Sequence, residues 1–200
     1  MRLKCCYQME TIDGKGGTCE KDNSVVIETE RLILKPFCEK YLTEEYISWL
    51  NDGELMKYSE QRQYKHTFKS CKKYYLSFQD SENLFFAILQ KESENHIGNI
   101  NAYIDKYNLL ADISVLIGDK SVSGCGYGTE AWTGMMGYLF EQKNVRKITA
   151  GTMGHNRAMI KVFEKCKMKC EARRVRHYLF EGKEVDMVYY AAFRNEWLRN

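Results

Sequence analysis

The chain has a single proline, Pro36, among its 200 residues, and it has no long apolar run. Proline-rich linkers and collagen-like repeats are therefore excluded. The longest apolar run, residues 84–89, is far shorter than the roughly 20 residues that a membrane-spanning helix needs. The first residues, MRLKCCYQME, also lack the apolar stretch of a secretory signal peptide. We therefore expect a cytoplasmic protein without a membrane partner.

The chain also lacks a large excess of positive or negative charge. The chain carries 30 Lys and Arg against 27 Asp and Glu, which gives a formal net charge of +3. Nucleic-acid-binding proteins usually concentrate basic residues on one face, whereas the basic residues here are scattered, so we expect no nucleic-acid partner. The densest basic group is Arg173-Arg174-Val175-Arg176, which we interpret as the rim of a strand; a patch that contacts anions is the alternative.

The eight cysteines include no C-x-x-C pair, which is the spacing that zinc ribbons use. Cys5 and Cys6 are adjacent, and Cys166 and Cys170 are four residues apart. Cys166, Cys170 and His177 form a weak candidate for a metal site, and their interpretation as structural side chains is favoured. We therefore expect reduced cysteines, no disulfide framework and no metal cofactor.

The rest of the composition predicts one folded domain. Apolar residues make up 44% and aromatic residues 13% of the chain, which is enough to build a full core. Residues 1–24 show no periodicity and contain Gly14, Gly16 and Gly17, so we expect an N-terminal tail or strap there. A single domain is then expected over residues 25–197.

Periodicity predicts the order of the secondary-structure elements. Apolar residues at helical spacing predict helices at residues 43–51, 67–78, 129–142 and 156–166. Shorter runs of alternating or continuous apolar residues predict strands between them. These strands are two short pieces within residues 24–37, followed by residues 83–90, 97–104, 110–117, 147–153, 170–180 and 184–193.

The order β-β-α-α-β-β-β-α-β-α-β-β indicates an α/β (α+β) fold. Short connectors make the strands at 83–90, 97–104 and 110–117 an antiparallel meander. The helix at 129–142 then leads to the strand at 147–153, and a right-handed crossover makes that strand parallel to the strand at 110–117. We therefore expect a mixed, mostly antiparallel central sheet with helices on both faces.

A glycine-rich segment, residues 121–130 (SVSGCGYGTE), lies between a predicted strand and a predicted helix. Gly124, Gly126 and Gly128 allow a tight turn, and the helix that follows adds unpaired N–H donors and the positive end of its dipole. This layout is typical of a site for a phosphate-bearing ligand. The spacing matches neither a P-loop nor the G-x-G-x-x-G of dinucleotide-binding folds. A loop without a ligand is the alternative on these residues alone.

Two motifs on these elements resemble the GNAT superfamily of acyl-CoA-dependent N-acetyltransferases. The family's central motif, Q/R-x-x-G-x-G/A, is similar to residues 123–128. Its second motif, an asparagine that opens the next helix with an aromatic residue seven positions later, is similar to Asn156 and Phe163. The resemblance extends over residues 25–197, and ETERLILKPF and YISWLND are most similar to the RimJ/RimL-type branch and the amino-sugar N-acetyltransferases near it. It implies a GNAT-like fold.

The resemblance implies acetyl-CoA as the cosubstrate. Its pyrophosphate would lie on the backbone N–H groups of residues 124–129. Its pantetheine arm would pair with the end of the strand at 110–117, which would separate from the strand at 147–153. A backbone N–H near Leu116 and Ile117 would stabilise the oxyanion. The implied cofactor-binding residues are Leu116, Ile117, Ser123, Gly124, Cys125, Gly126, Tyr127, Gly128, Thr129, Asn156 and Phe163.

Two residues depart from the family pattern. Ser123 occupies a position where the family usually has Gln or Arg, which removes one side-chain contact to the pyrophosphate. Phe163 occupies a position where many members carry a tyrosine that protonates the leaving thiolate, and a phenyl ring cannot donate a proton. Tyr178 and Tyr58 are weaker candidates for this acid, and departure of the thiolate without a side-chain acid is the alternative. Cys125 is not favoured as a covalent nucleophile, because direct transfer needs no acyl-enzyme.

The attacking amine must lose a proton, so the implied reaction needs a proton acceptor. The candidate bases are Asp112, Glu60 and His155, and each has an alternative interpretation as a solvated or structural side chain. The region between the first two helices forms the acceptor side in this family. The candidate acceptor-binding residues are therefore Tyr58, Glu60, Arg62 and His66.

The implied function is transfer of an acetyl group from acetyl-CoA to a primary amine by direct attack. The acceptor stays open between an amino sugar nucleotide, a protein N-terminal amine and a small polar amine. The alternative is a non-catalytic acyl-CoA-binding module, in which Ser123 and Phe163 mark lost activity. The sequence does not distinguish a monomer from a homodimer.

Overall fold

A computed structural model gives the fold of residues 25–199, and residues 1–24 and 200 lie outside the described residues. The N-terminal tail or strap expected at residues 1–24 therefore stays a prediction. The strands are β1 (Ile27–Glu28), β2 (Leu32–Pro36), β3 (Leu84–Gln90), β4 (His96–Asp105), β5 (Leu110–Ile117), β6 (Lys147–Met153), β7 (Lys169–Phe180) and β8 (Lys183–Phe193). They form one sheet in the order β1-β2-β3-β4-β5-β6-β8-β7.

The first four α-helices of this range follow the predicted order, and a fifth, at the C-terminal end, was not predicted. They are α1 (Glu44–Asn51), α2 (Phe68–Gln79), α3 (Tyr127–Glu141), α4 (Arg157–Lys165) and a short α5 (Arg194–Trp197). The hydroxyls of Thr43 and Thr67 cap α1 and α2, and the Asn156 side chain caps α4, so three of these helices begin where the sequence provides a capping residue. Between residues 25 and 199 no helix is both long and apolar enough to cross a membrane.

The sheet is mixed and mostly antiparallel, as predicted. Every pair of neighbouring strands is antiparallel except β5 and β6, which α3 connects. A helical crossover between neighbouring strands produces such a parallel pair. The parallel pairing is short, because it joins only Leu110 with Lys147, Ala111 with Ile148 and Asp112 with Thr149.

Two apolar cores hold helices against opposite faces of the sheet. Alternate residues of β3 contribute to them, since Phe86 belongs to the core under α3 and α4 and Ala87 to the core under α1 and α2. The first core also contains Trp132 and Phe163, which are each 1% exposed, and Trp49 is part of the second. The predicted placement of helices on both faces is therefore confirmed.

β7 and β8 form a hairpin at one end of the sheet. Glu181 and Gly182 make the turn, and both have the positive φ values, 50° and 74°, that a tight hairpin turn requires. The pairing of β8 with β6 reaches Met187 opposite Met153, so the tip of the hairpin extends beyond the end of β6. The tip can therefore contact elements that lie outside the sheet.

The basic group near residue 174 lies on β7, the outer strand of this hairpin. β7 bulges between Arg174 and Tyr178, and Asp186 of β8 holds the bulge. The Asp186 carboxylate accepts hydrogen bonds from Arg173 Nε at 2.6 Å and from the Arg176 backbone N–H at 2.8 Å. The interpretation of these arginines as the rim of a strand is confirmed, and charge with a bulge protects this exposed edge from pairing.

Candidate functional site

β5 and β6 separate soon after they begin to pair. Pairing ends at Asp112 and Thr149, although both strands continue well beyond this point. The Ala111 carbonyl accepts a hydrogen bond from the Thr149 hydroxyl at 3.4 Å and therefore faces β6. Because backbone groups alternate in direction along a strand, those of Ile113 and Val115 face the gap. The separation of these two strands that the sequence predicts is present.

The glycine-rich loop and the N-terminus of α3 lie beside the open end of this gap. A Cβ atom on Gly128 would be 3.6 Å from Cγ1 of Ile117, the last residue of β5. Gly124 and Gly126 have φ values of 78° and 85°, in the left-handed region that favours glycine. No side chain caps α3, in contrast to α1, α2 and α4. Helix geometry gives the N–H groups of residues 127–129 no partner within the helix, so they can bind an anion.

Several N–H groups of the loop are used in internal turns, including those of Ser123 and Cys125. The Ser123 N–H donates to the Lys120 carbonyl at 3.2 Å, and the Cys125 N–H donates to the Val122 carbonyl at 3.3 Å. The expectation that all N–H groups of residues 124–129 bind phosphate is therefore corrected, because that of Cys125 is already bonded. The donors that point outward are concentrated at the start of α3.

Asp112 lies at the closed end of the gap. Its side chain is on the face that carries α1 and α2, because its neighbours Ala111 and Ile113 belong to the core under α3. The Thr149 hydroxyl donates to Asp112 Oδ2 at 2.9 Å. Burial raises the pKa of Asp112 to about 6, and the bond from Thr149 opposes this rise. At neutral pH the carboxyl is mostly ionised, with a pKa suited to accepting a proton.

A chain of polar side chains lies on the same face beside Asp112. Tyr103 of β4 is directly opposite Asp112, and its hydroxyl is 2.9 Å from that of Tyr74. Asn101 Nδ2 donates to the Tyr74 hydroxyl at 2.7 Å, and the Ser114 hydroxyl donates to Asn101 Oδ1. Sequence reasoning missed this chain, because its members come from α2, β4 and β5 and share no local pattern.

Residues 58–66, called the lip below, contact the tip of the β7–β8 hairpin. Arg62 Nη1 donates to Glu60 Oε1 at 2.6 Å, and Nη2 donates to a backbone carbonyl of the tip at 3.3 Å. The Tyr58 ring packs against the Phe180 ring, with 5.6 Å between the ring centroids. The structure therefore brings three of the predicted acceptor residues together and adds the hairpin tip, which the sequence did not indicate.

Glu60 and His66 are held by contacts within or beside the lip. Glu60 Oε2 accepts a hydrogen bond from Gln63 at 3.0 Å, and Oε1 accepts from Arg62, so both carboxylate oxygens are bonded. His66 Nε2 is 3.2 Å from a carbonyl oxygen of the lip. The Glu60 oxygens are thus engaged within the lip rather than free to meet a substrate amine. Among the candidate bases, the geometry therefore favours Asp112 over Glu60.

Asn156 and Phe163, the two residues of the second motif, make contacts inside the protein. Asn156 caps α4 through a backbone N–H at 3.2 Å and donates from Nδ2 to the Thr152 hydroxyl at 3.0 Å. The Phe163 ring contacts the rings of Trp132 and Tyr190, with centroid distances of 5.3 and 4.9 Å. Because Phe163 is buried in the core, its side chain does not line the open gap.

Tyr178 and Asp112 are not close to each other. Asp112 is paired with Thr149, which is opposite Ala191 of β8. Tyr178 is opposite Val185, which is six positions away along the same strand. At about 3.4 Å per residue these positions are about 20 Å apart. Asp112, Glu60 and Tyr178 therefore do not form one catalytic cluster, since Tyr178 cannot act on the atom that Asp112 reaches.

An ion pair joins the start of α3 to the segment between β1 and β2. Glu130 accepts a hydrogen bond from the Arg31 backbone N–H at 2.6 Å and pairs with its guanidinium at 2.7 Å. The Thr29 hydroxyl donates to the same carboxylate at 2.6 Å. Sequence reasoning gave Arg31 no role, because it is 99 residues from Glu130 and no local spacing connects them.

The remaining candidate residues are those of the possible metal site, His155 and the other cysteines. Between residues 25 and 199 no group of three or more His, Cys, Asp or Glu side chains is arranged to hold a metal ion. His155 is exposed in the turn between β6 and α4. The cysteines of this range are free thiols, at Cys38, Cys71, Cys125, Cys166 and Cys170.

Known structures with the same fold include two acetyltransferases. Spermidine N-acetyltransferase from Vibrio cholerae, solved in complex with CoA and spermine, superposes with a TM-score of 0.77 at 19% identity, covering 85% of this chain and 99% of that chain. RimL, the ribosomal L7/L12 alpha-N-protein acetyltransferase, solved in complex with coenzyme A, has a TM-score of 0.75 at 16% identity, covering 84% of this chain and 98% of that chain. The GNAT-like fold expected from the sequence is therefore confirmed.

Sequence comparison gives the family. An N-acetyltransferase 9-like protein from Caenorhabditis briggsae is 24% identical over 156 residues, which cover 72% of this chain and 77% of that protein. Residues 31–169 match the model of the acetyltransferase (GNAT) domain, and they make up well over half of the chain. The protein therefore belongs to the GNAT acetyltransferases and is an acetyl-CoA-dependent N-acetyltransferase.

Proposed function

We propose that acetyl-CoA binds in the gap between β5 and β6 and that the amine reaches it from the face that carries α1 and α2. The observation that carries this proposal is the early end of β5–β6 pairing at Asp112 and Thr149. Because pairing ends early, the rest of β5 and β6 has unpaired backbone groups, and these lie next to the N-terminus of α3, which has no side-chain cap. One continuous groove therefore offers hydrogen-bond partners first to amide groups and then to phosphate.

The described residues fit this cosubstrate. The backbone groups of Ile113 and Val115 face the gap and can pair with the amides of a pantetheine arm. The first-turn N–H groups of residues 127–129 supply donors for the pyrophosphate, and they do not depend on the side chain of Ser123. The oxyanion donor predicted near Leu116 and Ile117 does not fit this arrangement, because Ile117 is five positions, about 17 Å, from Asp112 along β5 and lies beside the glycine-rich loop.

Asp112 is the residue that we propose as the general base. Acetyl-CoA supplies the acetyl group as a thioester, so the amine nitrogen bonds to the carbonyl carbon as the C–S bond breaks. The amine proton passes to Asp112, directly or through water, because the carboxyl is mostly ionised at neutral pH and lies half-buried at the closed end of the gap. Phe163 cannot donate a proton and is buried, so the thiolate leaves without it and takes its proton from water.

The lip favours an acceptor that carries no additional positive charge. Glu60 is neutralised by Arg62, so its carboxylate is not free to attract a second ammonium group. On the outer strand of the β7–β8 hairpin, Arg173 and Arg176 are paired with Asp186 and Glu184, and Arg174 adds a positive charge that disfavours a polycation. Among the structural relatives, one acts on spermidine and one on a protein α-amine. We favour a peptide α-amine or a small polar amine over a polyamine.

The test is a steady-state assay of CoA release with a panel of amines: peptides with a free α-amine, nucleotide-linked amino sugars, and spermidine. We expect Asp112→Asn to lower kcat at least about 100-fold with CoA affinity unchanged, because general-base catalysis contributes about that much. Asp80→Asn, an exposed aspartate at the end of α2, is the matched control and should retain activity.

Each outcome decides part of the proposal. Wild-type protein that releases no CoA above hydrolysis with any amine would reject the proposed reaction. A fully active Asp112→Asn variant would remove Asp112 as the base. Spermidine as the best acceptor would overturn the preference for an acceptor without additional positive charge.

We also propose a cytoplasmic location. Its support is that Cys71 and Cys166 are buried as free thiols, which is common in proteins of reducing compartments. Cell fractionation with a tagged full-length chain tests this proposal, and recovery from a secretory compartment would contradict it.

A further inference from the structure

The Arg31 side chain contacts both the glycine-rich loop and the first turn of α3. Its Nε and Nη2 atoms are each 2.7 Å from Glu130 Oε2, and Nη1 donates to the Cys125 carbonyl at 3.1 Å. The guanidinium carbon is 4.4 Å from the centroid of the Tyr127 ring. A Cβ atom on Gly126 would be 3.6 Å from Nη2. One side chain therefore contacts four groups of the candidate pyrophosphate site: the Cys125 carbonyl, Gly126, the Tyr127 ring and the Glu130 carboxylate.

We propose that Arg31 is a positioning residue for the pyrophosphate of acetyl-CoA. It fixes the direction of the Gly126 N–H, and it neutralises a carboxylate that would otherwise repel the phosphates. The inference rests on the proposed binding of acetyl-CoA in the gap, and it assigns a role to a residue outside both family motifs.

The direction of the Gly126 N–H follows from the Cys125 carbonyl. The peptide bond between them is trans, and in a trans peptide the C=O and N–H point in opposite directions. Because the carbonyl points to Arg31, the Gly126 N–H points away from it. Arg31 approaches α3 from the side of β1 and β2, and the sheet order places the gap between β5 and β6 on the other side. The Gly126 N–H is therefore turned toward the gap.

The second role of Arg31 is electrostatic. Glu130 lies in the first turn of α3, next to the N–H groups that would bind the pyrophosphate. Burial raises the pKa of Glu130, but hydrogen bonds from Thr29 and Arg31 outweigh it, so the pKa lies below its ordinary value and the carboxylate stays ionised. An unpaired carboxylate at this position would oppose phosphate binding. The bidentate contact with Arg31 cancels that charge.

The experiment is a double-mutant cycle on the dissociation constant of CoA, measured by titration calorimetry with the full chain. The variants are Arg31→Ala, Glu130→Gln and their combination. We expect Arg31→Ala to weaken CoA binding about tenfold, which corresponds to about 1.4 kcal/mol. The double variant should recover most of this loss, because the repelling carboxylate is gone.

Two further measurements separate positioning from folding. The deficit of Arg31→Ala should shrink between about 50 mM and about 500 mM salt, because salt screens the Glu130 carboxylate once it has lost its partner. Arg31→Lys keeps the charge without the bidentate geometry, and we expect it to lose less affinity than Arg31→Ala. Lys35→Ala, on β2 and paired with Glu94 at 3.2 Å, is the matched control and should bind CoA like the wild type.

The outcomes distinguish this inference from the proposed function. If the wild type binds no CoA, the proposed site fails and the inference fails with it. If the wild type binds CoA and Arg31→Ala binds equally well, only the inference is overturned. A loss that neither Glu130→Gln nor salt reduces would overturn the electrostatic role of Arg31.

Discussion

At the scale of single residues, the surroundings of Asp112 lower the stability of the folded state and make the carboxyl a better proton acceptor. Its carboxyl is half-buried, accepts one hydrogen bond from Thr149 at 2.9 Å, and has a pKa that burial raises to about 6. An ionised carboxyl in this position is poorly solvated, so its charge costs the folded state free energy at neutral pH. The same raised pKa makes it a good proton acceptor near neutral pH.

We therefore expect Asp112→Asn to stabilise the protein at pH 7.5. The pKa of Asp112 is higher in the folded state than the ordinary 3.8, so the folded state binds more protons between these values. Stability contributed by this group is present at low pH and is lost as the pH rises through about 6. The gain of the variant at pH 7.5 is at most about 3 kcal/mol.

Urea denaturation at pH 7.5 and at pH 5 measures this difference. The gain should shrink at pH 5, because most of the wild-type carboxyl is then protonated in the folded state. A gain of equal size at both values would contradict the titration of Asp112 as its cause.

Lys167 also lowers the stability of the fold, in this case through an unfavourable backbone conformation. It follows α4 with a φ of 57°, in the region that favours glycine. Its N–H donates to the Glu164 carbonyl at 3.0 Å, and the Met168 N–H donates to the Phe163 carbonyl at 2.9 Å. These two bonds form a Schellman motif, and such motifs usually have glycine at this position.

Lys167→Gly should therefore stabilise the protein, by about 0.5–1 kcal/mol, because glycine adopts this backbone conformation without strain. The matched control is Lys161→Gly, in the middle of the same helix, which should destabilise by about 1 kcal/mol. Chemical denaturation of both variants measures the effects. Destabilisation by both substitutions would show that the strain at Lys167 is negligible.

At the scale of elements, the contact between the lip and the β7–β8 hairpin closes the acceptor side. Arg62 contributes to this contact in two ways. It donates a hydrogen bond to the hairpin backbone at 3.3 Å, and its guanidinium lies 5.8 Å from the centroid of the Phe180 ring. The Tyr58 ring also packs on Phe180. Arg62 takes part in two of these contacts, so its substitution is expected to change how the lip and the hairpin are held.

Arg62→Ala should raise KM for the acceptor several-fold while the affinity for CoA stays unchanged, because Arg62 lies in the lip rather than beside the glycine loop. Steady-state kinetics with the best amine and calorimetry with CoA measure the two effects. Lys69→Ala, an exposed residue of α2, is the control and should change neither. An unchanged acceptor KM in Arg62→Ala would remove Arg62 from the acceptor side.

The helix N-termini show which helix starts can be predicted from capping residues in the sequence. α1, α2 and α4 begin directly after Thr43, Thr67 and Asn156, as their capping side chains predict. α3 begins at Tyr127, two residues before the predicted start, because its first turn follows Gly126 and lacks a side-chain cap. When no side chain caps a helix, the free N–H groups of its first turn can instead donate to a bound ligand.

At the scale of the whole molecule, the site depends on one parallel pair inside an otherwise antiparallel sheet. Only β5 and β6 are parallel, and they stay paired for three residues before they diverge. A ligand in this gap would bridge the two parts of the sheet that are otherwise joined through this short pairing. Binding should therefore stabilise the entire domain.

CoA at 100 times its dissociation constant should add about 2.7 kcal/mol to the free energy of unfolding. For a chain of this size, such a gain raises Tm by about 5–10 °C. Differential scanning calorimetry with and without CoA measures the shift. Asp112→Asn should show the same shift, because Asp112 is proposed to act on the amine rather than to bind CoA. An unchanged Tm of the wild type would contradict binding in the gap.

The sequence by itself determined the order of the elements, the mixed sheet and the family. These depend on periodicity, capping residues and glycine spacing, which act within a few residues along the chain. It also identified Asp112, Arg62 and the loop at residues 121–130 as candidates.

The tertiary structure alone decided which candidates are neighbours. It placed Asp112 against Thr149, separated Tyr178 from that position, and buried Phe163 in the core. It also brought Arg31 to Glu130 across 99 residues. Burial, charge pairing and the direction of a peptide N–H depend on distances between elements, and these distances exist only once the chain has folded.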